Sequence, residues 1–266
     1  MNVGKLTRLN RIFSHPSGRV CSIAVDHFIG YAEGLPDGLR PIQNTLAAIV
    51  AAQPDAVTMH KGIVTGAWAP FAGKVALIVQ SSLVRPDETA FEQMITPEEA
   101  VRLGADAIAV VAYVRGKTEA RYLRAVSDCV RESARFEIPV ICHIYARDPA
   151  DLSRISFVPE DIAWAVRCAL ETGVDVIKVP YCGDVQAYAQ IVADCPVPVV
   201  AAGGPKQETL ELALAMMAEV VQSGARGATI GRNVWGFAEI TKAVYAFKGV
   251  IHAGKTPQEA LQTAGL

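Results

Sequence analysis

Val20-Cys21-Ser22-Ile23-Ala24-Val25-Asp26-His27-Phe28 decides the fold. Apolar and small residues run almost unbroken up to Asp26, the composition of a parallel strand covered on both faces. The run then ends in two polar residues, with no Gly-x-Gly-x-x-Gly behind it. An open doubly wound sheet usually carries that fingerprint after its first strand, where the glycines admit a dinucleotide. Outward from this stretch the chain repeats one pattern. Strands are expected at Val20–Asp26, Asp55–His60, Lys74–Gln80, Asp106–Ala112, Pro139–Ile144, Val174–Pro180, Val197–Ala202 and Ala228–Arg232. Helices are expected at Leu39–Ala52, Thr96–Leu103, Lys117–Phe136, Pro159–Thr172, Val185–Ala193 and Lys206–Ser223. Thr96-Pro97-Glu98-Glu99 has the form of a capping box with proline at the first helical position. Gly104, Gly173 and Gly224 each follow a helical stretch, where a left-handed cap belongs. Eight strands alternating with helices predict an α/β chain folded as a (β/α)8 TIM barrel. Residues 1–266 are read as a single domain, with 1–19 as an N-terminal helical segment closing the barrel bottom and Ala238–His252 as a closing helix.

Composition narrows the function classes. Hydrophobic residues make up 51% and charged residues 20% of the chain, which excludes a disordered, solvating protein. Lysine and arginine number 25 against 27 acidic residues, so no overall charge draws the chain to nucleic acid or to a membrane surface. An anionic ligand must therefore be met by a local site. The six cysteines form no C-x-x-C pair, and Cys21 and Cys142 sit in apolar runs. They read as free thiols in a reducing cytoplasm. No stretch of about 18 apolar residues predicts a membrane span, and the N-terminus lacks a signal-peptide core.

Barrel chemistry collects at the C-terminal ends of the strands. There the expected strands present Asp26, His27, His60, Lys61, Gln80, Ser81, Ser82, Tyr113, His143, Tyr145, Arg147, Lys178, Tyr181, Gly203, Gly204, Gly231 and Arg232. Lys178 interrupts the apolar run Val174-Asp175-Val176-Ile177-Lys178-Val179-Pro180. Loss of solvation favours a neutral amine, which makes such a lysine a nucleophile toward a carbonyl; a structural ion pair is the alternative. Asp26 is read as its ion-pair partner, as an acid/base group, or as both. The loops Gly203-Gly204-Pro205 and Gly231-Arg232-Asn233 follow the last two strands, the recurrent phosphate site of this fold. Glycine there permits close approach of backbone N–H groups, a helix start adds positive charge, and Arg232 offers a charged fork. Tight turns without a ligand are the alternative. His27 and His60 join these as substrate-binding candidates. The histidines show no metal-ligand spacing, so neither a metal nor a cofactor is expected.

Taken together, these residues resemble the archaeal-type class I fructose-bisphosphate aldolase family, with its related synthases and autoinducer-2 thiolases. The resemblance runs over nearly the whole chain. It rests on Ala24-Val25-Asp26-His27, Met59-His60-Lys61-Gly62, Gly104-Ala105-Asp106-Ala107, Ile177-Lys178-Val179-Pro180-Tyr181-Cys182-Gly183-Asp184, Ala202-Gly203-Gly204-Pro205-Lys206 and Gly231-Arg232-Asn233-Val234-Trp235. It implies Lys178 as the Schiff-base lysine, Asp26 as the aspartate assisting carbonyl chemistry and Tyr145 as the proton carrier. It implies a small phosphorylated keto substrate and a homo-oligomer, often a decamer. Three positions depart from the family pattern: Phe28 replaces a glycine, Tyr145-Ala146-Arg147-Asp148 replaces Tyr-Pro-Arg-Gly, and Gly236 replaces a glutamine. The expected activity is lysine-iminium formation or cleavage of a C–C bond. An acyl or carbon-fragment transferase on the same lysine, and a non-catalytic sugar-phosphate sensor, are the alternatives.

Overall fold

The computed structural model describes residues 2–31 and 34–266. Its strands are β1 (Val20–Ala24), β2 (Ala56–His60), β3 (Ala76–Gln80), β4 (Ser82–Val84), β5 (Phe91–Gln93), β6 (Ala107–Val114), β7 (Val140–Asp148), β8 (Asp151–Ile155), β9 (Val176–Val179), β10 (Val199–Ala202) and β11 (Gly227–Ile230). Strands β1, β2, β3, β6, β7, β9, β10 and β11 pair in that order, and β11 returns to β1. All eight pairings are parallel. The result is a closed (β/α)8 TIM barrel, as the repeating pattern predicts.

Side-chain alternation along each strand sorts the core into two parts. Outward residues such as Ile23, Val57, Leu77, Ile108 and Ile177 pack with the helices in one large buried cluster. Inward residues Val20, Ala56, Ala76, Ile78, Ala107, Ala109, Ile141, Val176 and Val200 form a second cluster inside the barrel. Four of these are alanines, and the room they leave at the bottom is filled by Ile12 from the helix Val3–Ile12. That helix is tied down by Lys5 to Asp175 at 3.0 Å and by Arg11 to Asp106 at 3.1 Å. Nearby, Asp55 accepts the Cys21 N–H at 2.6 Å and pairs with His252 at 2.9 Å. The last long helix, Ile240–Ala253, is thereby joined to the first two strands. Above the apolar plug the interior turns polar, through Ser22, Thr58 and Thr229 to Gln80, His143 and Lys178.

The structure departs from the expected elements in several places. Strand β7 does not stop at Ile144 but continues to Asp148, where it folds back antiparallel onto β8. A second hairpin, β4–β5, follows β3. The helix expected from Lys206 begins at Leu210, because Thr209 is the residue whose hydroxyl caps it. Helices Lys61–Ala67 and Pro257–Ala264 add to the expected set, the second opened by a capping box at Thr256 and Glu259. All six cysteines are free; Cys21, Cys129 and Cys142 are buried and the other three half-buried. No helix among the described residues is long and apolar enough to cross a membrane.

Ile12 is 1% exposed in a tight setting, so truncation should leave a void at the barrel floor. Ile12→Ala is expected to cost about 2–5 kcal/mol. A urea titration should show a lower midpoint with an unchanged slope; an unaltered midpoint would mean the plug contributes nothing.

Candidate active site

Lys178 lies on β9, opposite His143 of β7 and Val200 of β10. Its side chain points into the barrel and the residue is 6% exposed. Burial pushes its amine below the ordinary lysine value; Asp26 opposes that shift and Arg232 adds to it. Asp26 stands just beyond the end of β1. Its Oδ2 accepts from the Gln80 amide at 3.1 Å, and its Oδ1 is 3.5 Å from His27 Nδ1. Burial alone would raise its pKa, but His27, Lys178, His143 and His60 together hold the carboxyl well below the usual range. The histidines move the other way. Burial lowers His27 to about 4, lowers His60, and takes His143 far below the imidazole value. The site at neutral pH is therefore an ionised carboxylate and an amine ringed by neutral imidazoles.

Two joined cavities open at this end of the barrel. The deep one, about 60 Å³, is lined by Asp26, His27, His60, Gln80, His143, Tyr145 and Lys178, among others. The outer one, about 370 Å³, shares His27, Tyr113, Tyr145 and Lys178 and extends to Gly203, Gly204, Gly231 and Arg232. Every catalytic and substrate-binding candidate read from the sequence thus lines one of the two cavities. Tyr145 lies two residues beyond His143 on the same face of β7, its ring 5.7 Å from that of Tyr113.

The glycine loops owe their shape to missing side chains. A Cβ at Gly231 would fall 2.3 Å from His27 Cε1, so only glycine lets that ring lie against the backbone. A Cβ at Gly203 would fall 2.8 Å from the Ile230 Cα. The Gly203 N–H donates to Thr229 O at 2.9 Å and is committed to the sheet. The helix after Gly231 is one turn long, Arg232–Trp235, and the helix after the other loop starts only at Leu210, so neither loop runs into a long helix.

Several residues that sequence reasoning left without a role organise the site. Buried Asn233 donates to Gly203 O at 2.8 Å and Pro205 O at 2.9 Å, and accepts from Gln207 N at 2.8 Å. One side chain thus fastens the two loops together. Trp235 donates to Ala24 O at 2.9 Å and meets the His27 ring edge-on. Arg147, 1% exposed, pairs with Glu88 at 3.0 Å and donates to Pro86 O at 3.2 Å, fixing the turn whose Pro86 lines both cavities. The β7–β8 hairpin brings Ser153, Arg154 and Ile155 to the outer cavity, followed by Phe157. Of the three departures, Phe28 points away from both cavities and is 46% exposed. Tyr145–Asp148 is strand rather than loop. Gly236 leaves the space taken by the Lys206 side chain, whose Nζ sits 4.1 Å over the Phe237 ring. Among the serines after β3, Ser81 is buried against Ala109 O and Ser82 lines the deep cavity. Among the described residues, no three His, Cys, Asp or Glu side chains are grouped to hold a metal ion.

Residues 21–236 match the family described as DeoC/LacD family aldolase. A 2-amino-3,7-dideoxy-D-threo-hept-6-ulosonate synthase of Halobacterium salinarum is 33% identical, over 100% of this chain and 98% of that protein. A 2-amino-4,5-dihydroxy-6-oxo-7-(phosphonooxy)heptanoate synthase of Streptomyces griseus is 28% identical, over 97% and 94%. Among solved structures, an archaeal fructose 1,6-bisphosphate aldolase superposes with a TM-score of 0.82 at 27% identity, covering 94% of this chain and 100% of the other. Another, at the same score and identity over 93% and 99%, is an archaeal fructose-1,6-bisphosphate aldolase with its catalytic lysine bound to the carbinolamine intermediate of the substrate.

The opposing influences on Lys178 have a measurable sign. Its amine should titrate below ordinary lysines in an NMR titration of isotope-labelled protein. Asp26→Asn removes the one influence that raises it, so the midpoint should fall further. A rise on substitution would contradict the electrostatic account.

Proposed function

Because the chain belongs to the DeoC/LacD family of aldolases, we propose that it makes or breaks a C–C bond through an iminium on Lys178, with a phosphorylated ketone as the nucleophilic partner. The observation that carries this reading is the buried, down-shifted Lys178 amine beside ionised Asp26, in a cavity that continues to the Gly203–Gly204 and Gly231–Arg232 loops. Burial shifts the amine toward its neutral, nucleophilic form, and the Asp26 carboxylate in the same cavity is placed to handle protons. Lys178 Nζ adds to the ketone carbon, and Asp26 relays one amine proton to the oxygen to give the carbinolamine. A second proton, taken from solvent through Asp26, lets that hydroxyl leave as water while the iminium nitrogen keeps its remaining proton. The resulting iminium accepts the electron pair when the neighbouring carbon gives its proton to the Asp26 carboxylate. In the joining direction that carbon attacks an aldehyde, whose oxygen takes a proton from Tyr145; water then releases the product and restores the amine. Cleavage is the same path reversed.

The synthase names of the curated relatives favour the joining direction. One of those names describes a chain with hydroxyls at carbons 4 and 5, a ketone at 6 and a phosphonooxy group at 7. That is a β-hydroxyketone beside a phosphate, the product type an enamine makes from a ketone phosphate and an aldehyde. In this chain the glycine loops and Arg232 would hold the phosphate. The side of the outer cavity formed by Ser153, Arg154, Ile155 and Phe157 would receive the aldehyde.

Borohydride reduction in the presence of dihydroxyacetone phosphate, followed by peptide mass mapping, tests the lysine. The expected adduct is on Lys178 and is lost in Lys178→Ala; a label on another lysine, or none with any turned-over substrate, removes the mechanism. Arg232→Ala tests the phosphate. Losing one hydrogen bond to a charged group weakens an equilibrium about ten- to 150-fold. That loss should appear mainly in KM for phosphorylated ketones and leave unphosphorylated ones nearly unchanged. Equal effects on both would remove the phosphate assignment.

A further inference from the structure

Gln80 sits at the end of β3, 3% exposed, between two groups of the deep cavity. Its Oε1 accepts the Ser82 N–H at 3.0 Å, and Ser82 is itself anchored by accepting the Val111 N–H on Oγ at 3.0 Å. Its Nε2 lies 3.1 Å from Asp26 Oδ2 and 3.4 Å from His143 Nδ1. The amide cannot be turned over. Reversed, it would set an oxygen against a carboxylate oxygen and an NH2 against a backbone N–H. Both of its N–H bonds are therefore directed at acceptors, and His143 Nδ1 is one of them. A ring nitrogen that accepts carries no proton, so the neutral imidazole bears its proton on Nε2.

We propose that Gln80 is a positioning residue that locks His143 in the Nε2–H form, and that His143 donates this hydrogen bond to the substrate oxygen as Lys178 adds to the carbonyl. His143 is the register partner of Lys178 on the neighbouring strand and lines the same cavity. A donor fixed there before reaction stabilises the oxygen on which negative charge develops, without reorganisation cost at that moment. Lys178, Asp26 and His27 are the charged or titratable groups that act on His143, and His60 and Tyr145 share its cavity. Burial keeps the ring uncharged across the neutral range, so it remains a donor by tautomer rather than by protonation. Gln80 thereby serves two neighbours in opposite senses: it holds Asp26 as an acceptor and His143 as a donor. The assignment of His143 to substrate rests on the lysine reading above; the tautomer lock does not.

The lock is tested first in the unliganded protein. The nitrogen shifts of histidine-labelled protein should show His143 with a bare Nδ1 and a protonated Nε2, and Gln80→Met, of similar shape without the donor, should lose that bias. A wild-type ring protonated on Nδ1 overturns the proposal whatever the variants do. The catalytic part is read from kinetics. Gln80→Met and His143→Phe should each lower kcat about tenfold or more, the worth of a hydrogen bond to developing charge, with KM little changed. Both should still yield the borohydride adduct on Lys178, more slowly. Gln80→Glu, whose carboxylate draws a proton onto Nδ1, should bring an extra ionisation into the pH profile of kcat. Unchanged kcat in Gln80→Met and His143→Phe overturns the catalytic role. Absence of any adduct in the wild-type enzyme fails the Schiff-base reading instead, leaving the tautomer result standing.

Discussion

Desolvation of one amine sets the conditions for everything at the barrel mouth. Lys178 is carried into the interior by the alternation of β9, whose other residues are apolar and could not stabilise a bare ammonium. Burying a charged group without a partner is expensive, and the molecule meets that in two ways. The amine is pushed toward its neutral form, and a carboxylate is placed near enough to oppose the shift. Asp26 in turn would be too costly alone. The Gln80 amide and the Lys178 amine favour its ionised form, and neighbouring groups are fixed by further contacts, such as the edge-on packing of Trp235 against His27. The polar layer is a chain of mutual obligations in which each member leans on its neighbours more than on solvent.

The lower half of the barrel makes this layer possible. Four alanines and a few aliphatic residues leave a floor that Ile12 seals from beneath, with the helix carrying it anchored at both ends by ion pairs. A leaky floor would admit water under the lysine and return its amine toward ordinary behaviour. Stability at the bottom and reactivity at the top are in this sense one property of the same interior.

The barrel was legible in the sequence because parallel strands buried on both faces are written as runs of valine, isoleucine and alanine, here eight times over. The glycines closing the helices were legible for a similarly local reason: Gly104, Gly173 and Gly224 all adopt positive φ. Lys178 stood out because a charged residue in such a run needs an explanation. What the sequence hid are features decided by distant partners. Strand β7 continues past Ile144 because β6 pairs with Tyr145 and Ala146 and β8 with Arg147 and Asp148, and no local signal in that stretch announces either partner. Lys61–Ala67 contains two glycines and a threonine, poor helix formers held by packing. Asn233 could have been found only by asking what a buried amide at the end of β11 would bond, since its three partners lie in another loop. Gln80 and His143 were legible as strand-end residues at the mouth, but what they do there comes from the direction of one amide.

The Asn233 bonds have a consequence for how the mouth can change. A side chain that grips the Gly203–Gln207 segment from the Gly231 side turns two connections, far apart in the chain, into a single mechanical part. Neither can be lengthened, shortened or re-angled by itself without releasing the other. A change of length or angle in one loop therefore calls for a matching change in the other.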